Sequence, residues 1–284
     1  PTAGGAAVDL MPGFDADAPS KPFGGSEEFT FTPDGKGVVF SARNVGREEA
    51  WSTNFDLFYS PLDGKTAPRQ LTTNPAWDTQ PVFSPDGKQM VYMKMARPGF
   101  EADRFVLVIR DGMGGADRVL TQSWDRSPEE ITWSADGKTI YVAAQDVGQK
   151  ALFAIDAATG APRAIVGAGT NSSIGLAAGG RLVYSKNHLK SPAELWTANA
   201  DGNAQVNLTS IGGRNAFPDW GPFATGPESA TISIGGPASS LPGAVSAAIE
   251  NISLNAIRGE TGTTSATPLG GIPLGGIPLG GIPL

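Results

Sequence analysis

The chain has 284 residues, 40% of them hydrophobic and 17% charged, and carries a net charge of −7 with no run of Lys or Arg. That length supports one large domain or two small ones with a real core, and the acidic balance argues against a nucleic-acid partner or an anionic membrane surface. There is no cysteine, which removes disulfides, thiolate metal sites and cysteine nucleophiles, and no apolar stretch of about eighteen residues that would span a bilayer.

Residues 1–18 do not begin with Met, lack the basic region and apolar core of a signal peptide, and read as the middle of a longer protein, a linker or strand left over from a preceding unit. Asp15 and Asp17 are not followed by a loop with calcium-ligand spacing. From residue 19 a pattern begins. "FTPDGKGVVF" (31–40), "FSPDGKQMVY" (83–92) and "WSADGKTIYV" (133–142) repeat one turn about fifty residues apart. Pro85 presets φ for the first central position of a type I turn, and Gly87 supplies the left-handed residue of a G1 bulge, which predicts a three-residue hairpin loop. The flanks are rich in aromatic and β-branched residues and read as strands.

A second hairpin follows each first one, at 56–72, 105–121, 151–166 and 194–209, each reading strand, Asp/Gly turn, strand. The first hairpin of the fourth unit, "IGLAAGGRLVYSK" (174–186), has lost the turn signature. Four strands in 40 to 50 residues, repeated in tandem, are the signature of β-propeller blades. The fold class is therefore all-β, a partial β-propeller of four four-stranded blades at about 19–72, 73–121, 122–167 and 168–210, with the start of a fifth at 211–224. A low-complexity, mostly irregular tail (225–284) follows. Within it, 242–258 suits a short amphipathic helix or a strand, and "PLGGIPLGGIPLGGIPL" (268–284) suits a linker or the start of a β-solenoid with Leu274, Leu279 and Leu284 inward.

Catalytic chemistry is sparse. No Gly-x-Ser-x-Gly pentad occurs, and His188 is the single histidine, so neither a serine-hydrolase triad nor an ordinary zinc site can be assembled. "DGKT" at 63–66 and 136–139 lacks the first glycine of a phosphate loop, and "GMGGAD" (112–117) lacks the third glycine of a dinucleotide fingerprint, so both are turns. No cofactor is expected. Paired carboxylates stand at Glu27-Glu28, Glu48-Glu49 and Glu129-Glu130. Only Glu48-Glu49 lies in a long insertion between the two hairpins of a blade, where loops carry function. Glu48 and Glu49 are the candidate substrate-binding residues, holding a substrate ammonium by charge-assisted hydrogen bonds, with solvated loop charges as the plainer alternative.

The segments 19–58, 74–105, 120–141 and "LKSPAELW" (189–196) resemble the propeller of the prolyl oligopeptidase family, especially its dipeptidyl-peptidase V-like enzymes, over roughly residues 8–210. The resemblance implies an N-terminal propeller that gates and positions substrate for a C-terminal α/β-hydrolase domain releasing dipeptides. That catalytic domain is absent from this chain, and no triad residue can be carried over. It also implies short peptides as partners and a periplasmic or secreted location. "NAFPDWGPF" (215–223) looks more like a TolB-type blade, which supports an alternative, a TolB-like cell-envelope binding propeller carrying a repetitive tail and no enzyme. Unpaired blade edges would favour homo-oligomers.

Overall fold

The computed structural model describes residues 6–189 and 191–209. The start of a fifth blade at 211–224, the segment 242–258 and the repeat at 268–284 lie outside the described residues. Among the described residues sixteen strands form the four expected blades. The first contains β1 (Phe29–Phe31), β2 (Gly37–Ala42), β3 (Asp56–Pro61) and β4 (Arg69–Gln70). The second contains β5 (Asp78–Phe83), β6 (Gln89–Lys94), β7 (Val106–Asp111) and β8 (Asp117–Val119). The third comprises β9 (Thr132–Trp133), β10 (Thr139–Asp146), β11 (Gln149–Asp156) and β12 (Pro162–Val166). The fourth comprises β13 (Thr170–Leu176), β14 (Leu182–His188), β15 (Ser191–Ala198) and β16 (Val206–Asn207). Each blade is an antiparallel meander.

The repeated turn works as its residues dictate. In the second blade the Gly87 amide donates to the Ser84 carbonyl at 2.8 Å, and Gly87 has φ 70°. Asp86 Oδ1 accepts from Ser84 Oγ at 2.7 Å and from the Lys88 amide at 3.1 Å. Thr32/Asp34 and Ser134/Asp136 repeat both contacts. The hairpin closes one residue further out than expected. The last pair is Ser84 with Gln89, which leaves four residues between them instead of three. The cause is the Ser84 hydroxyl, which takes the Gln89 amide at 3.0 Å and leaves the Ser84 carbonyl for Gly87. In the fourth blade the signature is missing, and Gly179 and Gly180, at φ 75° and 73°, turn the chain instead.

A second repeated device ends three of the blades. Thr72, Thr121 and Thr209 each accept the amide of Leu57, Leu107 or Leu195 on the preceding strand through Oγ1, all at 2.9 Å. The leucines just before them, Leu71, Leu120 and Leu208, donate their amides to the carbonyls of those same three residues. "Leu-Thr" is thus the latch of the outermost strand.

The central strands carry near-continuous apolar runs because both their faces are covered. Met90 and Tyr92 of β6 pack with Val39 and Leu57 of the first blade, while Val91 and Met93 pack with Ile140, Val142 and Phe153 of the third. Tyr141 and Ala143 of β10 face Leu182 and Tyr184 of the fourth. Each fully buried side chain of this kind contributes ~1.5–3 kcal/mol. The remaining face of the first blade, Val38, Phe40, Ala42 and Phe58, is covered by irregular chain through Leu10, Met11 and Phe14, with Phe14 edge-on to Phe58 at 4.8 Å. One junction differs from the others. Lys150 of β11 pairs in parallel with Thr170 of β13, which joins the third and fourth blades into one eight-stranded sheet.

Candidate functional site

The first strands of all four blades surround one cavity of about 480 Å³. Pairing within each blade puts Phe31, Phe83, Trp133 and Leu176 at equivalent positions, opposite Val38, Met90, Ile140 and Leu182. Three residues before each stand Glu28, Gln80, Glu130 and Ser173. In the second and fourth blades this position is a bulge, with register shifts at Thr79/Val82 and Ser172/Gly175, and the bulged residues Gln80 and Ser173 adopt φ 53° and 54°. The third blade also takes up an extra residue here, since Pro128 bridges Ala144 while Thr132 pairs with Tyr141. Bulges beside a cavity re-aim side chains, and non-glycine residues held left-handed mark places where the surrounding fold enforces the backbone.

Three carboxylates line the cavity, Glu27, Glu129 and Glu130, together with Lys150. Lys150 Nζ donates to Glu129 Oε2 at 2.6 Å and stands 3.6 Å from Glu130 Oε1. The other oxygen of each carboxylate also has a protein donor. Gln145 Nε2 donates to Glu129 Oε1 and the Ile174 amide donates to Glu130 Oε2, both at 3.2 Å. Glu28, at the same repeat position as Glu130, is instead buried and accepts the amide and hydroxyl of Ser20, each at 2.6 Å. The apolar part of the lining is Phe29, Pro81, Val82, Ile131 and Ile174. The lining of this cup mixes these apolar side chains with Ser26, Thr30, Gln80, Thr132 and Ser173 and carries a net negative charge, suited to a cation carrying an apolar body.

Glu48 and Glu49 do not line this cavity. They sit in the loop between β2 and β3, Glu48 ending a 3-10 turn at Gly46–Glu48, both exposed, with Glu49 Oε1 3.8 Å from Arg43 Nη2. That loop and the starts of the first strands lie at the same end of the propeller, because β1 runs away from the end at which β2 finishes. The loop is braced. Arg43 Nη1 donates to the Ser52 carbonyl at 2.9 Å, and Thr53 Oγ1 takes the Gly99 amide from the neighbouring blade at 2.8 Å. Trp51, 71% exposed, and Phe100, 44% exposed, crown this rim. Asp17 pairs with Lys21 at 2.7 Å, and His188 ends β14 on the surface. Among the described residues no three metal-ligating side chains come together.

Two residues before Gln80, Asp78 is fully buried. Its Oδ1 accepts from Asn74 at 2.8 Å, and its Oδ2 meets no partner among the described residues. Burial pushes its carboxyl up to about 7, against the opposing effects of Asn74 and Lys94. Nearby Asp56 is raised by burial as well, although Thr72 and Gln70 donate to it at 2.9 and 2.8 Å. This pair belongs to the junction of the first two blades and sits apart from the axial cup.

Known proteins agree with this architecture. The TolB β-propeller domain model matches residues 22–224. Dipeptidyl-peptidase 5 of Trichophyton schoenleinii is 37% identical over 152 residues, covering 50% of this chain and 21% of the relative. The Arthroderma otae enzyme of the same name is 36% identical over 150 residues, covering 49% and 21%. The chain thus spans about a fifth of the length of these curated relatives. Among solved structures, TolB from Acinetobacter baumannii superposes with TM-score 0.50 at 22% identity, covering 64% of this chain and 42% of that one. A puromycin hydrolase in complex with PGG gives TM-score 0.52 at 21% identity, covering 64% and 30%. The likeness to dipeptidyl-peptidases read from the sequence is borne out by these relatives, and the shared fold by these structures. With its sequence matched over four blades, the chain belongs to the TolB β-propeller domain family.

Proposed function

We propose that this propeller gates and positions short peptides for a serine exopeptidase, with the bond cleavage performed by an α/β-hydrolase domain that these 284 residues do not contain. The observation that carries the proposal is the axial cup, whose lining brings Glu27, Glu129 and Glu130 into one cavity with Phe29, Val82, Ile131 and Ile174. A peptide with a free N-terminus has the matching chemistry. Its ammonium bonds the carboxylates, and its first side chains cover Phe29 and Ile131. A chain interior has no α-ammonium to offer, only lysine side chains without the adjoining first residues, so the cup would sort chain ends from chain interiors. Trp51 and Phe100 on the rim would guide the peptide towards it. The 37% identity to a protein named dipeptidyl-peptidase 5 supports the substrate class.

Calorimetric titration of the chain with alanyl-phenylalaninamide and with its N-acetyl form tests this. The free amine should bind and the acetylated peptide should bind at least about tenfold more weakly. Equal binding of the two would overturn the proposal and favour the non-enzymatic TolB-like alternative. A dipeptide 4-nitroanilide should show no turnover by this chain alone.

A further inference from the structure

We propose that Lys150 is a specificity-determining residue of the axial cup, a resident ammonium that an incoming ligand ammonium must displace. The inference rests on the amine-binding reading above. Lys150 Nζ bonds Glu129 Oε2 at 2.6 Å and lies 3.6 Å from Glu130 Oε1, while the other oxygen of each carboxylate already accepts from Gln145 or the Ile174 amide. A ligand cation that reaches Glu129 and Glu130 therefore competes with Lys150 for them.

The backbone of Lys150 is pinned, and its side chain, 15% exposed, reaches the carboxylates on a flexible stem. Its amide donates to the Gly169 carbonyl at 3.0 Å, and its carbonyl accepts from Asn171 Nδ2 at 2.7 Å. Gln149 Oε1 takes the Gly169 amide at 2.6 Å and completes the bridge between the third and fourth blades. The four-carbon stem keeps its rotatable bonds. A tethered ammonium competes at high effective concentration, so a bare amine gains nothing by replacing it. A peptide amine gains, because its side chains also cover the apolar walls. Lys150 thus makes the cup ignore simple amines and accept only amines with an apolar body.

The test titrates the full chain, wild type and Lys150→Met, with alanyl-phenylalaninamide, its N-acetyl form and methylamine. K150M should bind the free dipeptide amide about tenfold more tightly and gain detectable methylamine binding, with the acetylated peptide unchanged. K150R, which keeps a resident cation, should behave as wild type, and K150Q should follow K150M if the apolar variant melts early. Unchanged or weakened binding in both K150M and K150Q, while wild type still prefers the free amine, overturns the inference. If none of the proteins distinguishes free from acetylated peptide, the amine reading of the cup itself is wrong and the inference goes with it.

Discussion

Replacing Asp78 with Asn should make stability less dependent on pH and raise it under alkaline conditions. The folded chain holds the Asp78 proton up to about 7, against 3.8 for an ordinary Asp, because burial disfavours the charge. A difference of that size corresponds to about 4 kcal/mol between the two protonation states. The folded state binds the proton more tightly than the unfolded one, so stability falls as pH rises from about 4 to about 7 and is level beyond. Asn mimics the neutral acid and keeps an oxygen for Asn74. D78N should therefore match wild type near pH 4 and exceed it by up to about 4 kcal/mol at pH 8. The turn carboxylates Asp34, Asp86 and Asp136 have lowered values from their hydroxyl and amide donors and give the opposite slope. They are common to both proteins and cancel in the wild-type-minus-variant difference, which reports Asp78 together with its coupling to Asp56. Urea unfolding at pH 4.5, 6 and 8 measures it. A difference that is flat across the three pH values would refute the reasoning.

Glycines with the same backbone should respond differently. A Cβ on Gly160 would lie 2.0 Å from the Leu120 carbonyl oxygen at φ 76°, whereas one on Gly137, at φ 68°, meets only Pro85 Cδ at 3.9 Å. G137A should cost ~1 kcal/mol from backbone strain alone, and G160A more than ~2 kcal/mol as the second and third blades are forced apart; thermal melts of the two variants check the order. Thr121→Val should cost ~1–3 kcal/mol, because the Leu107 amide, held at 2.9 Å, loses its buried acceptor. Urea unfolding checks this, and an unchanged midpoint would show that the Leu-Thr latch is not an energetic feature.

Much of this fold was legible because each blade repeats its own local chemistry. The Ser/Thr-Pro/Ala-Asp-Gly-Lys turn needs only residues that are neighbours in sequence, and so do the Asp/Gly turns of the second hairpins. The closure one residue further out was not legible, because it depends on a serine hydroxyl outcompeting a carbonyl for the Gln89 amide. The parallel bridge at Lys150 and Thr170 was hidden as well. It needs Gly169 at φ 88° and packing between blades, neither of which leaves a periodic trace. The axial carboxylates did leave a signal. Glu27 and Glu129 stand four residues before Phe31 and Trp133, so aligning the blades stacks them. Loop length drew attention to Glu48 and Glu49 instead. Alignment alone would still have misassigned Glu28, which shares its repeat position with Glu130 but is claimed by Ser20 across a non-repeating stretch.

The central claim is that peptide amines are held at the axis. The most direct measurement compares the affinity of alanyl-phenylalaninamide for E27Q/E129Q/E130Q with that for E48Q/E49Q. The account predicts a loss of about a hundredfold or more in the axial triple variant, from three charge-assisted bonds, and less than about threefold on the rim. Full affinity in the axial variant with a loss in E48Q/E49Q would contradict it and return the site to the loop between β2 and β3.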